Sequence, residues 1–129
     1  MRTRFAIASV VLLVVLLAGC RTAPVYNVEN SPVPASANLT RKQVGNVIER
    51  EATKLGWSVE RQTPGRMVAT LKLRKHTAVV DILYDEKQFS IHYKDSQVLL
   101  YDGEKIHRNY NNWIHNLQRR INAGLVPTD

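Results

Sequence analysis

Four consecutive segments between residues 57 and 94 alternate apolar with polar side chains, and this pattern restricts the chain to a fold built around a β-sheet. A period of two places the apolar side chains of each segment on one face of a strand. The connections between the segments hold only a few residues, so neighbouring strands are expected to run antiparallel. The pattern therefore predicts a four-stranded antiparallel meander with one apolar face.

A helix is predicted immediately before the meander. Thr40 and Gln43 have the spacing of a capping box, which is typical of a helix start. Apolar residues then recur every three or four positions over Arg41–Leu55, and Gly56 is expected to end the helix.

A second apolar stripe with helical spacing follows the meander. It runs from Ile106 to Ile121, and Gly124 is expected to end this helix. Because each predicted element has one apolar face and the connections are short, both helices are expected on the same face of the sheet. The predicted fold class is α+β, a two-layer sandwich in the order α-β-β-β-β-α. Residues 98–101 are not assigned, since a packed loop and an added short strand both fit them.

The first twenty residues have the parts of a secretory signal. Arg2 and Arg4 make the start positive, residues 5–19 carry no charge, and small residues precede Cys20. The apolar stretch is shorter than the roughly 20 residues that a transmembrane helix requires. Residues 1–19 are therefore predicted to be a signal peptide.

The segment Leu17-Ala18-Gly19-Cys20 resembles the lipobox of bacterial lipoproteins. The resemblance implies that the signal is cut before Cys20 and that lipid is attached to this cysteine. Arg21 follows it, in place of the Asp that favours inner-membrane retention of enteric lipoproteins, so the implied location is the periplasmic face of the cell outer membrane. The chain is also similar to a class of small uncharacterised proteobacterial outer-membrane lipoproteins, and this similarity implies no established activity.

The composition changes between the predicted anchor and the predicted domain. Residues 20–38 contain three prolines together with several Ser and Asn residues and show no periodicity, which favours an extended, flexible tether. In an alternative reading, Val25, Tyr26 and Val28 add a short strand to the sheet edge. The folded domain is then expected over residues 39–126, with a tail of residues 127–129.

The chain is basic, with 18 Lys and Arg against 11 Asp and Glu and a net charge of +7. Loss of Arg2 and Arg4 with the signal leaves 16 basic against 11 acidic side chains. At the periplasmic face the available anions are lipid headgroups, lipopolysaccharide phosphates and peptidoglycan carboxylates, so nucleic acid is not an expected partner. The basic residues cluster at Arg41-Lys42, at Lys72, Arg74 and Lys75, and at Arg119-Arg120.

Matching the apolar faces of neighbouring strands predicts which side chains share the other face of the sheet. With Lys75-His76 as a turn, Leu71 is expected opposite Val80. The same matching pairs Val80 with Tyr93 and Val59 with Leu71. One row of the other face would then hold Glu60, Thr70, Asp81 and His92, and the next row Gln62, Val68, Leu83 and Ser90. The candidate interaction face consists of Val68, Val79, Asp81, Leu83 and His92.

This face has two features with more than one interpretation. Asp81 beside His92 has the chemistry of a general acid–base pair, but a cross-strand charge pair on a solvated face is the favoured explanation. The aliphatic Val68, Val79 and Leu83 fit a docking patch for another protein or a second copy, and they also fit ordinary scattered exposure.

No cofactor and no metal site is predicted. His107 and His115 lie eight residues apart, or about 12 Å along a helix, which is too far for one metal ion to bind both. The single cysteine excludes a thiol-rich zinc site, and glycine-rich phosphate loops are absent.

The leading hypothesis is a lipid-anchored, noncatalytic binding or scaffolding module of the cell envelope. Its partner would be the membrane through Cys20 together with an envelope protein or a second copy, with no small-molecule substrate. One alternative is recognition of an anionic envelope polymer, peptidoglycan or lipopolysaccharide. A less favoured alternative is an acid–base enzyme that uses His92 and Asp81.

Overall fold

The computed structural model describes residues 21–128, so the predicted signal peptide, the lipobox cysteine Cys20 and the last residue lie outside the described residues. A short 3-10 turn at Ala35–Ala37 precedes the first α-helix. The elements in chain order are β1 (Thr22–Pro24), β2 (Val28–Pro32), α1 (Arg41–Lys54), β3 (Ser58–Thr63), β4 (Arg66–Leu73), β5 (His76–Tyr84), β6 (Gln88–Gln97), β7 (Lys105–His107) and α2 (Arg108–Leu125).

The strands form two antiparallel sheets. The main sheet has five strands in the order β2-β6-β5-β4-β3, and the small sheet pairs β1 with β7. The prediction of an α+β fold with two helices and antiparallel strands is confirmed. The predicted four-stranded sheet and the order α-β-β-β-β-α are wrong, because β1, β2 and β7 add strands that period-two alternation did not reveal.

Residues 21–38 pack on the domain and do not form the extended tether that their composition favours. Val28 lies opposite Ile91 and is buried, so β2 becomes an edge strand of the main sheet. Pro32 is compatible with this position because an edge strand has one row of backbone groups without a ladder partner. The alternative reading, in which Val25, Tyr26 and Val28 add a strand, is closer to the structure, although the strand begins at Val28.

Tyr26 holds this N-terminal segment against α2. Its backbone amide donates a hydrogen bond to Asn111 Oδ1 at 2.9 Å, and its hydroxyl donates to Gln118 Oε1 at 2.7 Å. Its ring stacks on the His115 ring with 4.0 Å between centroids. Three contacts from one side chain and one amide thus tie residue 26 to the last helix.

The register within the main sheet differs from the prediction by two residues in two pairings, that of β4 with β5 and that of β3 with β4. Arg74 and Lys75 form the β4–β5 turn, with Arg74 at a φ of 56°, so Leu71 faces Ala78 and not Val80. Val59 likewise lies opposite Ala69 and not Leu71. A shift of two residues leaves every side chain on its predicted face. The predicted pairing of Val80 with Tyr93 is confirmed.

The start of α1 agrees with the prediction. Gln43 N donates to Thr40 Oγ1 at 3.2 Å and Thr40 N donates to Gln43 Oε1 at 2.9 Å, which completes the capping box. The second helix begins at Arg108 and not at Ile106, which belongs to β7. Its N-cap is His107, whose Nδ1 accepts from the backbone amide of Asn109.

Gly124 lies inside α2 and does not end it, contrary to the prediction. A Cβ atom at this position would lie 2.9 Å from Glu51 Cγ and 3.0 Å from Val47 Cγ1. These distances are too short for unstrained contact, so the missing side chain allows α1 and α2 to approach closely here.

One hydrophobic core joins the sheet to both helices. The inward face of the main sheet packs with Val44, Ile48 and Ala52 of α1, and with the buried stripe of α2. Both helices therefore cover the same face, as expected from their single apolar stripes. Neither helix within residues 21–128 is both long and apolar enough to cross a membrane.

Glu51 is a buried carboxylate between the two helices. It accepts from Arg50 Nε at 3.2 Å and from Lys54 Nζ at 3.4 Å, and Arg120 Nε lies 3.6 Å from its other oxygen. Burial opposes ionisation, but the hydrogen bonds and charges of Arg50 and Lys54 outweigh it and lower the pKa of Glu51. Because these basic side chains are about half exposed, solvent screens part of the stabilisation.

We expect the unfolding free energy of the Glu51→Gln variant to fall less steeply than that of the wild type as the pH becomes acidic. A pKa that is lower in the folded state stabilises the fold above the unfolded-state value, and this contribution disappears as the pH falls through the folded-state value. The variant should lose about 1 kcal/mol of unfolding free energy near neutral pH and less on acidification. Urea unfolding from about pH 7 to about pH 3 measures both quantities. Glu60→Gln, which removes an exposed carboxylate, is the control, and an acid limb as steep as that of the wild type would contradict the assignment.

Candidate functional site

The main sheet has one face that neither helix covers, and we call it the open face. All the residues predicted for an interaction face lie on it or line it. Leu83 is 40% exposed, and the others are partly exposed. The side chains of the open face are Glu60, Arg66, Val68, Thr70, Val79, Asp81, Leu83 and His92.

Asp81 and His92 lie directly opposite each other, as predicted, but their hydrogen bonds go elsewhere. Asp81 Oδ1 accepts from Arg66 Nη2 at 3.0 Å, and Lys94 Nζ lies 3.6 Å from the other oxygen. His92 Nε2 lies 3.0 Å from Glu29 Oε2. The register thus brings the predicted pair together, while each member has a different charged partner.

His92 also lines a shallow cavity of about 270 Å³. Glu29, Leu83 and Ser90 contribute to the same lining, and Asp81 does not. Ser90 is buried because β2 covers it, and its hydroxyl accepts from the Asn30 amide at 2.9 Å. The cavity therefore belongs to the junction between β2 and the rest of the main sheet.

The row that contains Asp81 differs from the prediction at one position. Val68, and not Thr70, lies between Glu60 and Asp81. Thr70 faces Val79 in the neighbouring row. The two-residue shifts in the β4–β5 and β3–β4 pairings put Val68 in the place predicted for Thr70, so an aliphatic side chain lies among the charged ones.

The other histidines each contact the backbone or another ring. His76 Nδ1 lies 2.8 Å from the carbonyl oxygen of Val98, His107 caps α2, and His115 stacks on Tyr26. Within residues 21–128 no three His, Cys, Asp or Glu side chains come together in a metal-binding group.

A second candidate surface is a pocket of about 480 Å³ at the start of α1, which we call the basic pocket. Arg41 and Lys42 enter it from the first turn of the helix, and neither forms an ion pair with a carboxylate of the described residues. No acidic residue occupies the first turn of this helix, where backbone N–H groups already favour anions. The lining consists of Thr40, Arg41, Lys42, Arg61, Pro64, Gly65 and Tyr84.

Arg61 connects three parts of this pocket. It donates from Nη2 to Glu49 Oε2 at 2.7 Å, from Nη2 to Asn46 Oδ1 at 3.1 Å and from Nη1 to the Tyr84 hydroxyl at 3.3 Å. Burial alone would lower the pKa of Arg61, but the hydrogen bond and charge of Glu49 outweigh burial and raise this pKa above its usual value. The guanidinium is thus a fixed positive charge between α1 and β5.

Gly65 forms the wall of the pocket at the β3–β4 turn. It has a φ of +87°, and a Cβ atom there would lie 2.8 Å from the Tyr84 carbonyl oxygen. Its own carbonyl accepts from the Tyr84 amide at 2.9 Å. Glycine therefore satisfies both the left-handed backbone and the close approach of the neighbouring strand.

Two contributions to these surfaces were not found from the sequence. The composition places Glu29 in a tether, although the nearby Tyr26 and Val28 indicate a strand. Arg61 and Tyr84 were assigned only to strands, because nothing in their local pattern relates them to the Arg41-Lys42 cluster that the sequence did reveal.

The chain thus presents two candidate binding surfaces, the open face and the basic pocket. Comparison of the chain with protein-family models, with curated protein sequences and with solved structures found no match. The geometry of the two surfaces favours binding of a flat partner at the first and of an anionic group at the second.

We expect Gly65→Ala to destabilise the domain by at least about 2 kcal/mol, because the left-handed backbone and the close Tyr84 oxygen both oppose a Cβ atom. Gly103→Ala is the matched control, since Gly103 has a φ of +103° but no atom within 4 Å of an added Cβ. The control should cost about 1 kcal/mol from the backbone alone. Chemical denaturation of both variants measures the difference, and equal losses would show that the contact with Tyr84 has no effect.

Proposed function

We propose that the protein is a lipid-anchored, noncatalytic binding module on the periplasmic face of the outer membrane. The lipobox resemblance at Leu17-Ala18-Gly19-Cys20 supports the anchor, and Arg21 supports the choice of membrane. In this proposal the acylated Cys20 holds the domain at the bilayer, and the domain itself binds another component of the envelope.

The observation that carries the binding role is the aliphatic group on the open face. Val68, Val79 and Leu83 lie on central strands of a sheet whose other face is filled by the core. Asp81 lies between Val79 and Leu83 along β5 and opposite Val68, and its carboxylate is held by Arg66. Exposed aliphatic side chains beside paired charges, on a sheet face that no helix covers, fit a protein–protein docking surface. We therefore infer that an envelope protein or a second copy of this chain packs against the open face.

A site-specific crosslink tests this role. We expect a photoreactive residue at Leu83 in the full chain, expressed in intact cells, to crosslink to one discrete partner. Val68→Asp should reduce the yield about tenfold or more, because it places an unpaired charge in the interface. A photoreactive residue at Asn112, which is exposed on α2, is the control for random collisions.

Two controls make the result decisive. Membrane abundance and thermal unfolding show whether Val68→Asp still folds. If crosslinking from Leu83 persisted unchanged in a folded Val68→Asp variant, or if Asn112 gave the same products, the open face would not be the interface.

A second candidate function is recognition of an anionic envelope polymer at the basic pocket. Arg41, Lys42 and Arg61 line one cavity, and the first two have no carboxylate partner among the described residues. Tyr84, in the pocket wall, and His76 lie at opposite ends of the nine-residue strand β5, about 26 Å apart. His76 contacts the Val98 carbonyl oxygen, in the segment that leads to β7 and its partner β1, so the pocket lies at the other end of β5 from that contact.

We expect the purified protein to co-sediment with peptidoglycan or lipopolysaccharide at low salt and to be released as salt rises, because exposed charges are screened. Arg41→Gln combined with Lys42→Gln should weaken binding about tenfold. Arg119→Gln combined with Lys87→Gln removes the same charge outside the pocket and is the matched control. Equal loss in both double variants would assign the binding to net charge and not to the basic pocket.

A further inference from the structure

One end of the domain carries most of its exposed apolar side chains. Four of the six large apolar residues that are exposed within residues 21–128 lie there: Leu73 at 48%, Val98 at 54%, Leu100 at 57% and Tyr101 at 42%. They belong to the β4–β5 turn and to the segment between β6 and β7. We call residues 73–75 and 98–101 together the apolar rim.

Hydrogen bonds join the two parts of the apolar rim. His76 lies opposite Leu73 in the sheet, and its Nδ1 lies 2.8 Å from the Val98 carbonyl oxygen. Leu73 and Val98 are thus separated by two strand spacings, or about 10 Å. The rim is therefore one continuous surface and not two separate loops.

The same surface adjoins the start of the described chain. The His107 amide donates to the Leu99 carbonyl at 2.8 Å, and His107 lies opposite Thr22 of β1. Leu99 is therefore also about 10 Å from Thr22. The Arg108 amide donates to the Arg21 carbonyl at 3.0 Å, which holds the residue bonded to Cys20 at this end.

The side chains of Val98 and Leu100 are exposed by a strained backbone conformation. Val98 has a φ of 59° and Leu100 a φ of 58°, a left-handed conformation that is uncommon for residues other than glycine and rarest for a β-branched one such as Val98. Between them Leu99 is only 1% exposed and is buried in the core. Burial of Leu99 thus places both of its aliphatic neighbours in solvent, at positions where polar residues or glycine would fit with less strain.

Basic side chains surround the apolar rim. Arg74 and Lys75 form its turn, and Lys72 lies beside it on β4. Arg21 and Arg108 lie at the anchor end, and Lys105 lies on β7. Three carboxylates lie nearby. Asp95 lines a cavity together with Val98, Leu100 and Tyr101, and Asp102 and Glu104 lie at the adjoining turn, where Asp102 accepts from the amides of Glu104 and Lys105. Apolar side chains bordered by an excess of cations match an anionic lipid surface.

We propose that the apolar rim inserts into the bilayer that holds the acylated Cys20, so that the domain has a second membrane contact and one fixed orientation. This inference rests on the anchor in the proposed function. Leu100 and Val98 enter the boundary between headgroups and acyl chains, and Arg74, Lys75 and Arg21 contact phosphates. The open face and the basic pocket then stand clear of the membrane.

Spin labels test the depth of the apolar rim. Leu100→Cys, Val98→Cys and Leu73→Cys are labelled one at a time in the full lipoprotein, purified from membranes and reconstituted in vesicles of phosphatidylethanolamine and phosphatidylglycerol. Acylation blocks Cys20, so only the new thiol reacts. Glu86→Cys, at the β5–β6 turn of the opposite end, is the matched control. Leu73 has an ordinary strand backbone and gives a reading that is independent of the strained segment.

We expect oxygen to collide with the rim labels more often than a water-soluble nickel chelate does, with a ratio at least about threefold above that at position 86. If the rim labels were as accessible to the chelate as the label at position 86, the proposal would be overturned. Because the vesicles hold no other protein, such a result would mean that the rim is exposed to water and available to a protein partner. The mass of the Cys20 peptide from the same sample shows independently whether Cys20 is acylated. A missing lipid mass contradicts the proposed function, whereas aqueous labels on an acylated protein contradict only the membrane contact of the rim.

Discussion

The antiparallel pairing of β1 with β7 is the contact on which the presentation of this domain depends. It holds Arg21 beside Arg108, so no slack chain separates residue 20 from the folded unit. A tether of the expected length would have allowed any surface to face the bilayer. With the pairing in place, the start of the described chain is fixed at one end of the domain, so a lipid at the proposed anchor residue Cys20 would lie at that end.

The second constraint is that two helices cover only one face of the main sheet. The core lies between them and the inward face, and Gly124 lets the helices meet closely around the paired carboxylate of Glu51. The open face then has no apolar layer of its own and carries Val68 and Leu83 among charges. The proposed functions depend on three surfaces that remain exposed in this arrangement: the open face, the basic pocket and the apolar rim.

The elements with strong periodicity could be predicted from the sequence, and the short ones could not. The capping box at Thr40, the strand alternation and the Asp81–His92 pairing all depend on local spacing, and the structure contains them. Three-residue strands such as β1 and β7 have too few residues to show a period. Pro24 in β1 and Pro32 in β2 also make these segments resemble a loop, because proline is uncommon within strands. The hydrogen bonds of Glu29 and Arg61 depend on residues far away in the chain, which no local pattern encodes. The expectation that Gly124 ends the helix is wrong, because a glycine near a helix end can also be needed for the close packing of two helices.

The N-terminal strands have their partners near the other end of the chain. The Tyr26 amide binds Asn111, 85 residues later, and the Tyr93 amide binds Asn27 across 66 residues. Closing loops of this length costs chain entropy before any contact compensates, so the meander of β3 to β6 forms more readily than the edges. A chain that ends before β7 has no strand partner for β1, and one that ends before α2 also lacks Asn111, the partner of the Tyr26 amide. Folding therefore completes last at the N-terminal edge, and Arg21 reaches its fixed position beside Arg108 only after the start of the final helix has formed.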